Sequence, residues 1–410
     1  MQVKVIGAGF SGLVTAYYLV KKGFQVQILE KNSRAGGLIR TIQTEHGPVE
    51  TAANGLRNSV RLEAMCADIG VPLQPTRREA RARFIFRGEP KRFPLSGAEV
   101  LKLGFRFAAS ATSLRPRRFE TIVNWGRRVI GAAATDYFLA PALGGIYAGD
   151  PERLSASLVF GQAALPDHLQ TTRPRKPKLH GTVAPPHGMQ QLIDGLREYL
   201  EREGVDFVLN HDFQVEPGEA AIVCTSARAA AACLAEVAPQ LSESLQQIEM
   251  MPVVTATCQY KAAAARLKGF GCLFPRSEGF RARGVLFNEC IFDGRGPAHS
   301  ETWIFGGALD PDIVQLSDPD LIKLIASERE RLFGVVDEAI GIHLTSWPAA
   351  LPHYSIDLER ILTQLPPPPP NVALVGNYLG RIGLAKLIER AAFVASEFRG
   401  SSPTAREGAS

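Results

Sequence analysis

The pattern of apolar and polar residues at the start of the chain predicts a strand, a helix and a second strand. Residues Val3–Ile6 form a short apolar run, and the segment Leu13–Lys22 carries apolar residues at helical spacing up to Gly23. Residues Phe24–Leu29 then alternate as a half-buried strand does. This order predicts a β-α-β unit at the N-terminus.

The rest of the chain predicts elements that return to this first sheet and elements that build a second one. Strand patterns dominate from Val253 to Gly307, which predicts a large antiparallel sheet. Proline-rich segments at Pro174–Pro186 and Pro366–Pro370 predict connections. The other predicted elements are a helix within Thr51–Gly70, a hairpin at Arg83–Pro90, an amphipathic helix over Gly97–Ser110, a helix from Gly188 to Leu200, strands at Phe207–Leu209, Ala221–Thr225 and Val372–Val375, and a helix through Phe393.

A Gly-x-Gly-x-x-Gly turn joins the first strand to its helix. The first glycine permits a tight turn, the second lets backbone approach a pyrophosphate, and the third lets the helix pack close to the strand. The helix N-terminus then presents unpaired N–H groups to an anion. Glu30 ends the second strand about 20 residues later, where a carboxylate can accept ribose hydroxyl protons. The predicted dinucleotide-binding residues of this unit are Gly7, Gly9, Phe10, Ser11, Gly12, Glu30 and Lys31.

A second pair of glycines indicates which dinucleotide is bound. The segment Arg34–Leu38 follows the ribose carboxylate closely and brings bare backbone to the cofactor again at Gly36 and Gly37. This pattern resembles FAD-binding amine oxidases and desaturases rather than nicotinamide dehydrogenases. We therefore predict FAD as the cofactor, with Arg34, Gly36, Gly37 and Leu38 at its site.

A strand, a turn and a helix near the C-terminus complete the predicted cofactor site. The buried strand at Val372–Val375 breaks at Gly376, and Gly383 precedes the last helix. The start of that helix presents free N–H groups, which in flavoproteins can face the isoalloxazine carbonyl and stabilise charge on the reduced ring. The predicted FAD-binding residues here are Gly376, Asn377, Gly383 and Leu384.

These elements predict an α/β (α+β) fold in which a Rossmann-like FAD-binding domain joins a substrate domain built on a large, mainly antiparallel sheet. A chain of 410 residues needs more than one core, because single cores stop growing at about 250 to 300 residues. The predicted boundaries are 1–75, 187–228 and 365–400 for the FAD-binding domain, 76–96 and 229–364 for the substrate domain, 97–186 for a helical, membrane-facing region, and 401–410 for a disordered tail.

The formal charge of +5 and the pI near 8.9 say little by themselves, but the basic residues are unevenly distributed. They accumulate between Arg77 and Arg128, and again at Arg173–Lys178. Such a stripe can attract nucleic acid, anionic lipid or an acidic small molecule, or it can be a solvated face. No nucleic-acid-binding motif accompanies it, so we expect no nucleic acid partner. The basic helix at Gly97–Ser110 fits either peripheral contact with a bilayer or a core-facing position.

The remaining features are those of an ordinary globular protein. The six cysteines form no C-x-x-C pair and do not cluster with histidines, which predicts no metal site and buried, reduced thiols. No apolar run reaches about 18 residues, so we expect no transmembrane helix. The first predicted strand starts directly at the N-terminus, so we expect no secretory leader. We therefore expect a cytoplasmic protein, with peripheral contact to the inner face of the cytoplasmic membrane. The sequence leaves monomer and homodimer open.

Several separated segments together resemble the protoporphyrinogen oxidase family, within the FAD-dependent amine oxidase and desaturase superfamily. The order and spacing of these segments carry the resemblance, which runs over most of the chain. The segments are Leu143–Ser155, Phe270–Pro275, Gly284–Phe287, the residues Trp347, Pro352 and Tyr354, and Gly376–Gly383.

The resemblance implies an enzyme that oxidises protoporphyrinogen IX to protoporphyrin IX in haem biosynthesis. A bound porphyrinogen would give up hydride to the flavin, and molecular oxygen would be the acceptor. Arg83 would pair with a substrate propionate, since a planar guanidinium suits a carboxylate. No residue is implied as a catalytic acid or base. The residues implied at the substrate are Arg83, Gly145, Phe270, Gly271 and Leu273, and Trp347 is implied at the cofactor.

Two segments depart from the family pattern, and several alternatives stay open. Glu50–Asn54 lacks the cation expected there, and Arg381–Lys386 replaces a Gly-Val-Pro-Asp type sequence. A coproporphyrinogen III oxidase of the same fold would have an unusually basic cavity. An amine oxidase would have an aromatic cage, and a desaturase a long apolar tunnel. A flavin-binding scaffold without turnover is the non-enzyme alternative.

Overall fold

The computed structural model of the protein describes residues 2–109, 113–161, 163–169, 177 and 179–399. Two large sheets organise this part of the chain, one parallel and one mainly antiparallel. The predicted α/β (α+β) fold is therefore confirmed, whereas the domain boundaries and the membrane-facing role of region 97–186 stay predictions. The predicted tail at 401–410 lies outside the described residues, as do the basic residues Arg173, Arg175, Lys176 and Lys178.

The first sheet has five parallel strands drawn from both ends and the middle of the chain. In its central strand, Val5 pairs with Ile28 on one side and Ile222 on the other, and all three are fully buried. Such apolar strands are typical of a parallel sheet that is covered on both faces. The strands are, in spatial order, Asp206–Val208, Gln25–Leu29, Gln2–Ile6, Ala221–Val223 and Val372–Leu374.

The second sheet has seven strands and is antiparallel except at one pair. Strand Gly271–Leu273 runs parallel to strand Phe84–Arg87, and Cys272 pairs with Phe84. The predicted hairpin and the predicted large antiparallel sheet both form. The strands are, in spatial order, Gly341–Pro352, Met250–Tyr260, His299–Gly306, Gly284–Phe287, Gly271–Leu273, Phe84–Arg87 and Glu89–Lys91.

Two small sheets lie beside the first large one. Thr41–Ile42 pairs with Val49–Glu50, and Thr182–Ala184 lies between Leu56–Arg57 and Gln74–Pro75. The sequence predicts only a connection at Pro174–Pro186, within a helical region. A strand forms there because Thr182–Ala184 can pair on both edges, which buries Val183 and Ala184 completely.

Helices cover the parallel sheet and connect the two sheets. One of them, at residues 132–147, contains a π-helical turn over Thr135–Leu139 between two α-helical parts. The α-helices are Phe10–Val20, Val60–Asp68, Gly97–Ala109, Ile122–Val129, Ala132–Ala134, Ala140–Tyr147, Ala156–Val159, Gln190–Arg202, Ala227–Leu234, Pro239–Gln246, Asn288–Ile291, Asp318–Phe333, Ile356–Thr363 and Leu384–Glu397.

The helix Gly97–Ala109 buries none of its residues. Leu101 is 72% exposed and Phe105 is 83% exposed, four positions apart on the helix. The core-facing alternative for this helix is therefore wrong. Among the described residues, no helix is both long and apolar enough to cross a membrane. All six cysteines are buried and unpaired.

A buried ionic cluster joins the second sheet to helix Asp318–Phe333. His299 lies between the carboxylates of Glu289 and Glu301, and Arg329 donates to Glu301 at 3.1 Å. Burial alone would lower the pKa of His299, but the two carboxylates favour the imidazolium and raise that pKa from its ordinary 6.5 to about 9. The cationic form is thus stabilised by folding.

The pH dependence of stability follows from the sign of that shift. Because folding raises the His299 pKa, the stabilisation is complete below about pH 6.5 and is lost as the pH rises through about 9. We expect His299→Gln to lower the free energy of unfolding by about 1 to 3 kcal/mol at about pH 6, since it leaves buried carboxylates short of a partner. The difference from wild type should shrink at about pH 9. Urea unfolding at both pH values measures this.

The matched control is His211→Gln, which changes an exposed histidine. That variant should follow the wild-type curve at both pH values. An equal loss of stability at low and high pH in His299→Gln would contradict the titration of His299 as the cause.

Candidate active site

The carboxyl ends of the parallel strands meet at one edge of the first sheet. The first residue beyond each of three strands donates its N–H to a neighbouring strand, at 2.7 Å from Gly7, 2.8 Å from Cys224 and 3.0 Å from Val375. Ligands of open parallel sheets bind outside the carboxyl ends of the strands. This edge is therefore the candidate nucleotide site.

The turn after the first strand has room for backbone only. A Cβ atom on Gly12 would lie 1.8 Å from the carbonyl oxygen of Gly7, so helix Phe10–Val20 packs this close because Gly12 has none. Gly9 caps the helix without a side-chain hydrogen bond, and the first turn holds no acidic residue. The Phe10 side chain is buried in the core. The turn therefore offers an anion backbone N–H groups and the positive end of the helix dipole.

The Glu30 carboxylate closes this turn from the second strand. It accepts the Ala8 N–H at 2.8 Å, the Asn32 N–H at 2.9 Å and the Asn32 side-chain amide at 2.6 Å. An ionised carboxylate has about four acceptor sites, so one more hydrogen bond can be accepted. Glu30 is only 7% exposed, and Lys31 beside it is exposed. This geometry suits a ribose hydroxyl at Glu30.

The second glycine pair lies directly against the first turn. The Gly36 N–H donates to the Ala8 carbonyl at 2.8 Å, and a Cβ atom on Gly37 would lie 3.2 Å from the Cα of Gly9. Arg34 donates to three carbonyl oxygens of the same loop, at 2.6 to 3.2 Å. Burial lowers the pKa of that guanidinium. Arg34 therefore fixes the loop that is predicted to contact the cofactor.

The C-terminal turn lies near this edge because its helix packs against the first helix. Leu384–Glu397 contacts Phe10–Val20, and Gly383 precedes it with no side-chain cap. Open space surrounds the position that a Cβ atom on Gly383 would occupy. The Tyr354 hydroxyl donates to the Asn377 carbonyl and holds the turn after the last strand. The structure thus brings both predicted glycine turns to one region.

Trp347 connects the second sheet to the glycine loop. Its indole N–H donates to the Thr51 carbonyl at 2.9 Å, and the Thr51 hydroxyl donates to the Leu38 carbonyl at 2.8 Å. Leu38 itself is 37% exposed. The two predicted cofactor residues Trp347 and Leu38 therefore lie on either side of Thr51.

A cation that the sequence pattern did not reveal completes the segment after the glycine pair. Arg295 donates to Glu50 at 2.8 Å, and neither side chain is more than 3% exposed. A second N–H of Arg295 lies 3.4 Å from the Asn54 carbonyl. A cation thus reaches the segment Glu50–Asn54 from a residue 241 positions after Asn54. Only the folded chain brings the two segments together.

The residues implied at the substrate come together in two contacts. The Arg83 guanidinium lies over the Phe270 ring, 4.6 Å from its centre. A Cβ atom on Gly145 would lie 2.8 Å from the Leu273 side chain. Gly271 lies between the two contacts, and a Cβ atom there would lie 2.1 Å from the Val285 carbonyl. Phe270 also packs against the core of the first sheet.

A cavity of about 440 Å³ opens beside Gly145. Its walls are the helix with the π-helical turn and the loop that connects strands Gly271–Leu273 and Gly284–Phe287. Four arginines and four acidic residues line it, so its charges balance in number. They are Arg127, Arg276, Arg281, Arg283, Asp136, Asp150, Glu152 and Asp310. Among the described residues, no three His, Cys, Asp or Glu side chains are grouped to hold a metal ion.

The fold and the glycine turns define a dinucleotide-binding protein of the α/β class. Within that class, the chain belongs to the flavin containing amine oxidoreductase family, which matches residues 10–391. The chloroplastic protoporphyrinogen oxidase of Nicotiana tabacum is 23% identical, over 97% of this chain and 85% of that protein. The coproporphyrinogen III oxidase of Bacillus subtilis is 21% identical, over 88% of this chain and 89% of that protein. The resemblance predicted from the sequence is confirmed.

Two solved structures confirm the fold. A protein from Exiguobacterium sp. 255-15, provisionally named a protoporphyrinogen oxidase, superposes with a TM-score of 0.75 at 19% identity, over 96% of this chain and 98% of that one. Cyclohexylamine oxidase from Brevibacterium oxydans superposes with a TM-score of 0.72 at 13% identity, over 97% of this chain and 98% of that one.

The protein is an FAD-dependent oxidoreductase, and its backbone fits that cofactor. The fit is steric: the turn at Gly7–Gly12 and the loop at Gly36–Gly37 approach each other with no side chain between them. The residues that would hold FAD are those of the two glycine turns, with Glu30 at the ribose. The particular contacts at each of these residues stay predictions.

Gly9 offers a direct test of this cradle. Its backbone angles of −68° and 175° suit alanine, and a Cβ atom there would meet only the Gly37 Cα at 3.9 Å. Gly9→Ala should therefore fold normally, yet its methyl group would crowd a pyrophosphate on the backbone. We expect FAD to bind about tenfold to a hundredfold more weakly, from an overpacking cost of about 1 to 3 kcal/mol. Titration of apoprotein with FAD measures this.

Gly104→Ala is the matched control, because a Cβ atom there meets nothing within 4 Å and the glycine lies in helix Gly97–Ala109. It should bind FAD as wild type does. Unchanged FAD affinity in Gly9→Ala would contradict the placement of the phosphates at this turn.

Proposed function

We propose that the protein oxidises a porphyrinogen to a porphyrin, with molecular oxygen as the final acceptor. The observation that carries the proposal is the pair of contacts between Arg83 and Phe270 and between Gly145 and Leu273, with a cavity beside Gly145. Protoporphyrinogen IX is the first candidate substrate, since protoporphyrinogen oxidases from plants match this chain over most of its length.

The side chains named above bind and orient such a substrate. Arg83 is an exposed residue whose guanidinium stacks on Phe270, so its edge can present two parallel N–H groups to a propionate. Gly145 lines the cavity, and it lets its helix lie close to strand Gly271–Leu273, because any side chain there would meet Leu273. These residues position the substrate and exclude water from it.

When bound, FAD supplies the hydride-accepting chemistry that these side chains lack. The protein's own task is then to hold the macrocycle in one orientation against the edge where the glycine turns lie. Arg34 and Glu30 fix the loops at that edge. No side chain is assigned as a strong base, because binding and orientation account for the residues at this site.

Coproporphyrinogen III is the second candidate substrate, and one observation favours it. The two substrates differ in their number of carboxylates, so the charge of the cavity distinguishes them. The cavity is lined by equal numbers of basic and acidic residues, and this balance favours neither substrate. One cavity arginine, Arg283, nevertheless has an N–H group without a partner among the described residues.

An amine substrate is less well supported, because the rings of Phe274 and Phe280 stack on each other, with their centres 4.1 Å apart, instead of enclosing a cation.

Turnover of a porphyrinogen tests the proposal. The FAD-loaded protein should convert protoporphyrinogen IX or coproporphyrinogen III to a fluorescent porphyrin in air, with peroxide formed. Arg83→Met should raise KM about tenfold or more and change kcat less, because a charge-assisted hydrogen bond to the carboxylate is lost. Arg83→Lys should have a KM between those of wild type and Arg83→Met. Steady-state fluorescence kinetics measure both constants.

Arg81→Met is the control, since Arg81 is an exposed arginine in the same segment. It should behave as wild type. No porphyrin from either substrate, together with reduction of the flavin by an amine, would refute the proposal. Unchanged kinetics in Arg83→Met would refute the role of Arg83 alone.

We also propose that the protein is cytoplasmic and contacts an anionic membrane through helix Gly97–Ala109. The support is the unburied apolar surface of this helix, which includes Leu101 and Phe105, together with the basic residues Lys102 and Arg106. An amphipathic helix of this kind gains free energy from burial of its apolar side chains and from attraction to anionic lipid.

The double variant Leu101→Gln, Phe105→Gln should reduce binding to anionic vesicles about tenfold or more, because burial of each large apolar side chain contributes about 1.5 to 3 kcal/mol. Cosedimentation with vesicles of phosphatidylglycerol and phosphatidylcholine measures this. Val336→Gln removes an equally exposed apolar side chain elsewhere, at 75% exposure, and should have no effect. Equal binding by all three proteins would exclude this helix as the contact.

A further inference from the structure

Arg283 lies in the wall of the cavity and uses only part of its hydrogen-bonding capacity. Its Nε donates to the Gly306 carbonyl at 2.9 Å. Its Nη1 lies 3.9 Å from the position that a Cβ atom on Gly144 would occupy. Its Nη2 is buried and has no hydrogen-bond partner among the residues that the structure describes. A buried N–H group without a partner is costly and calls for an acceptor.

The charges around Arg283 leave it uncompensated. Asp310 and Asp150 are near enough to favour its charged form, but neither is within ion-pair distance. Asp310 is paired at 2.8 Å with Arg281 instead. Arg276 opposes the charge, and burial lowers the pKa of the Arg283 guanidinium to about 10. The guanidinium stays cationic at neutral pH and lacks a carboxylate of its own.

The register of the second sheet gives the distance between Arg283 and Arg83. Phe84 pairs with Cys272, so Arg83 is level with Gly271, while the Phe274 N–H donates to the Arg283 carbonyl. Three positions at roughly 3.3 Å each and two strand spacings of roughly 4.8 Å separate the two backbones by about 14 Å. The two guanidinium groups therefore belong to different parts of the substrate region.

Helix Ala140–Tyr147 connects these two parts. Gly144 lies beside the Arg283 guanidinium, and the next residue, Gly145, contacts Leu273. Leu273 in turn lies two positions after Gly271, which is level with Arg83 on the neighbouring strand. A flat ligand seated against the two helix glycines would extend from one arginine towards the other.

We propose that Arg283 is a second carboxylate-binding residue for the porphyrinogen, at the end of the substrate region remote from Arg83. The inference rests on the proposed function. Coproporphyrinogen III carries a propionate on every pyrrole ring, whereas protoporphyrinogen IX carries propionates on neighbouring rings only. Arginines at separate ends can be satisfied together by the first substrate, so Arg283 selects a macrocycle with carboxylates on opposite edges.

Binding of the two porphyrin products tests this directly. Dissociation constants of coproporphyrin III and protoporphyrin IX are measured by fluorescence titration for wild type and Arg283→Met. We expect coproporphyrin III to bind about tenfold to a hundredfold more weakly to the variant, from loss of one charge-assisted hydrogen bond. Protoporphyrin IX should bind nearly as to wild type. In turnover, the variant should raise KM for coproporphyrinogen III with little change in kcat, and Arg283→Lys should restore part of the affinity.

Arg202→Met is the control, because Arg202 is an exposed arginine at the end of helix Gln190–Arg202 and does not line the cavity. It should leave the selectivity between the two porphyrins unchanged. The inference would be overturned if Arg283→Met lost affinity for both porphyrins equally, or if it lost affinity for neither. These outcomes are distinct from failure of the proposed function, in which wild type itself would bind and oxidise neither macrocycle. Flavin content and thermal unfolding of each variant show whether it is folded.

Discussion

The contact between the first helix and the first turn determines much of the cofactor half of the molecule. Gly12 lets helix Phe10–Val20 lie against the Gly7 carbonyl, where a Cβ atom would be only 1.8 Å away. That approach directs the helix N-terminus along the edge of the sheet. The backbone of Ala8 can then bond to Glu30 on one side and to Gly36 on the other. Three segments distant in sequence are thus assembled by backbone contacts with almost no help from side chains.

The sequence predicted those parts of the fold that obey local rules. Glycine spacing, helical periodicity and alternation located the strands at Gln2–Ile6 and Gln25–Leu29 and the helix between them. Strand Gly341–Pro352 and helix Asp318–Phe333 were not predicted from the sequence. This strand is formed by pairing with Met250–Tyr260, which lies far from it in sequence. Such pairing depends on tertiary partners that a local pattern does not contain.

The difference between local patterns and contacts of distant segments also decides which parts of the site could be predicted. The glycine turns could be placed from sequence because their function is a property of the backbone. The partnership of Arg295 with Glu50 could not, because it joins residues 245 positions apart. Arg283 was missed for a different reason: in sequence it is one arginine among many, and only its environment in the cavity separates it from Arg281, which has an acidic partner.

The π-helical turn at Thr135–Leu139 has a consequence for how the cavity can change. Asp136 and Tyr137 of this turn line the cavity together with Gly144 and Gly145 farther along the helix. A π turn holds one residue more than an α-helical turn, and such turns are frequent at functional sites. Loss of a single residue there would shift the phase of everything that follows by about 100°, and the two glycines would rotate away from the sheet. The shape of the cavity therefore depends on the length of this turn, so insertions and deletions, more than substitutions, would change the ligand shape that this protein accepts.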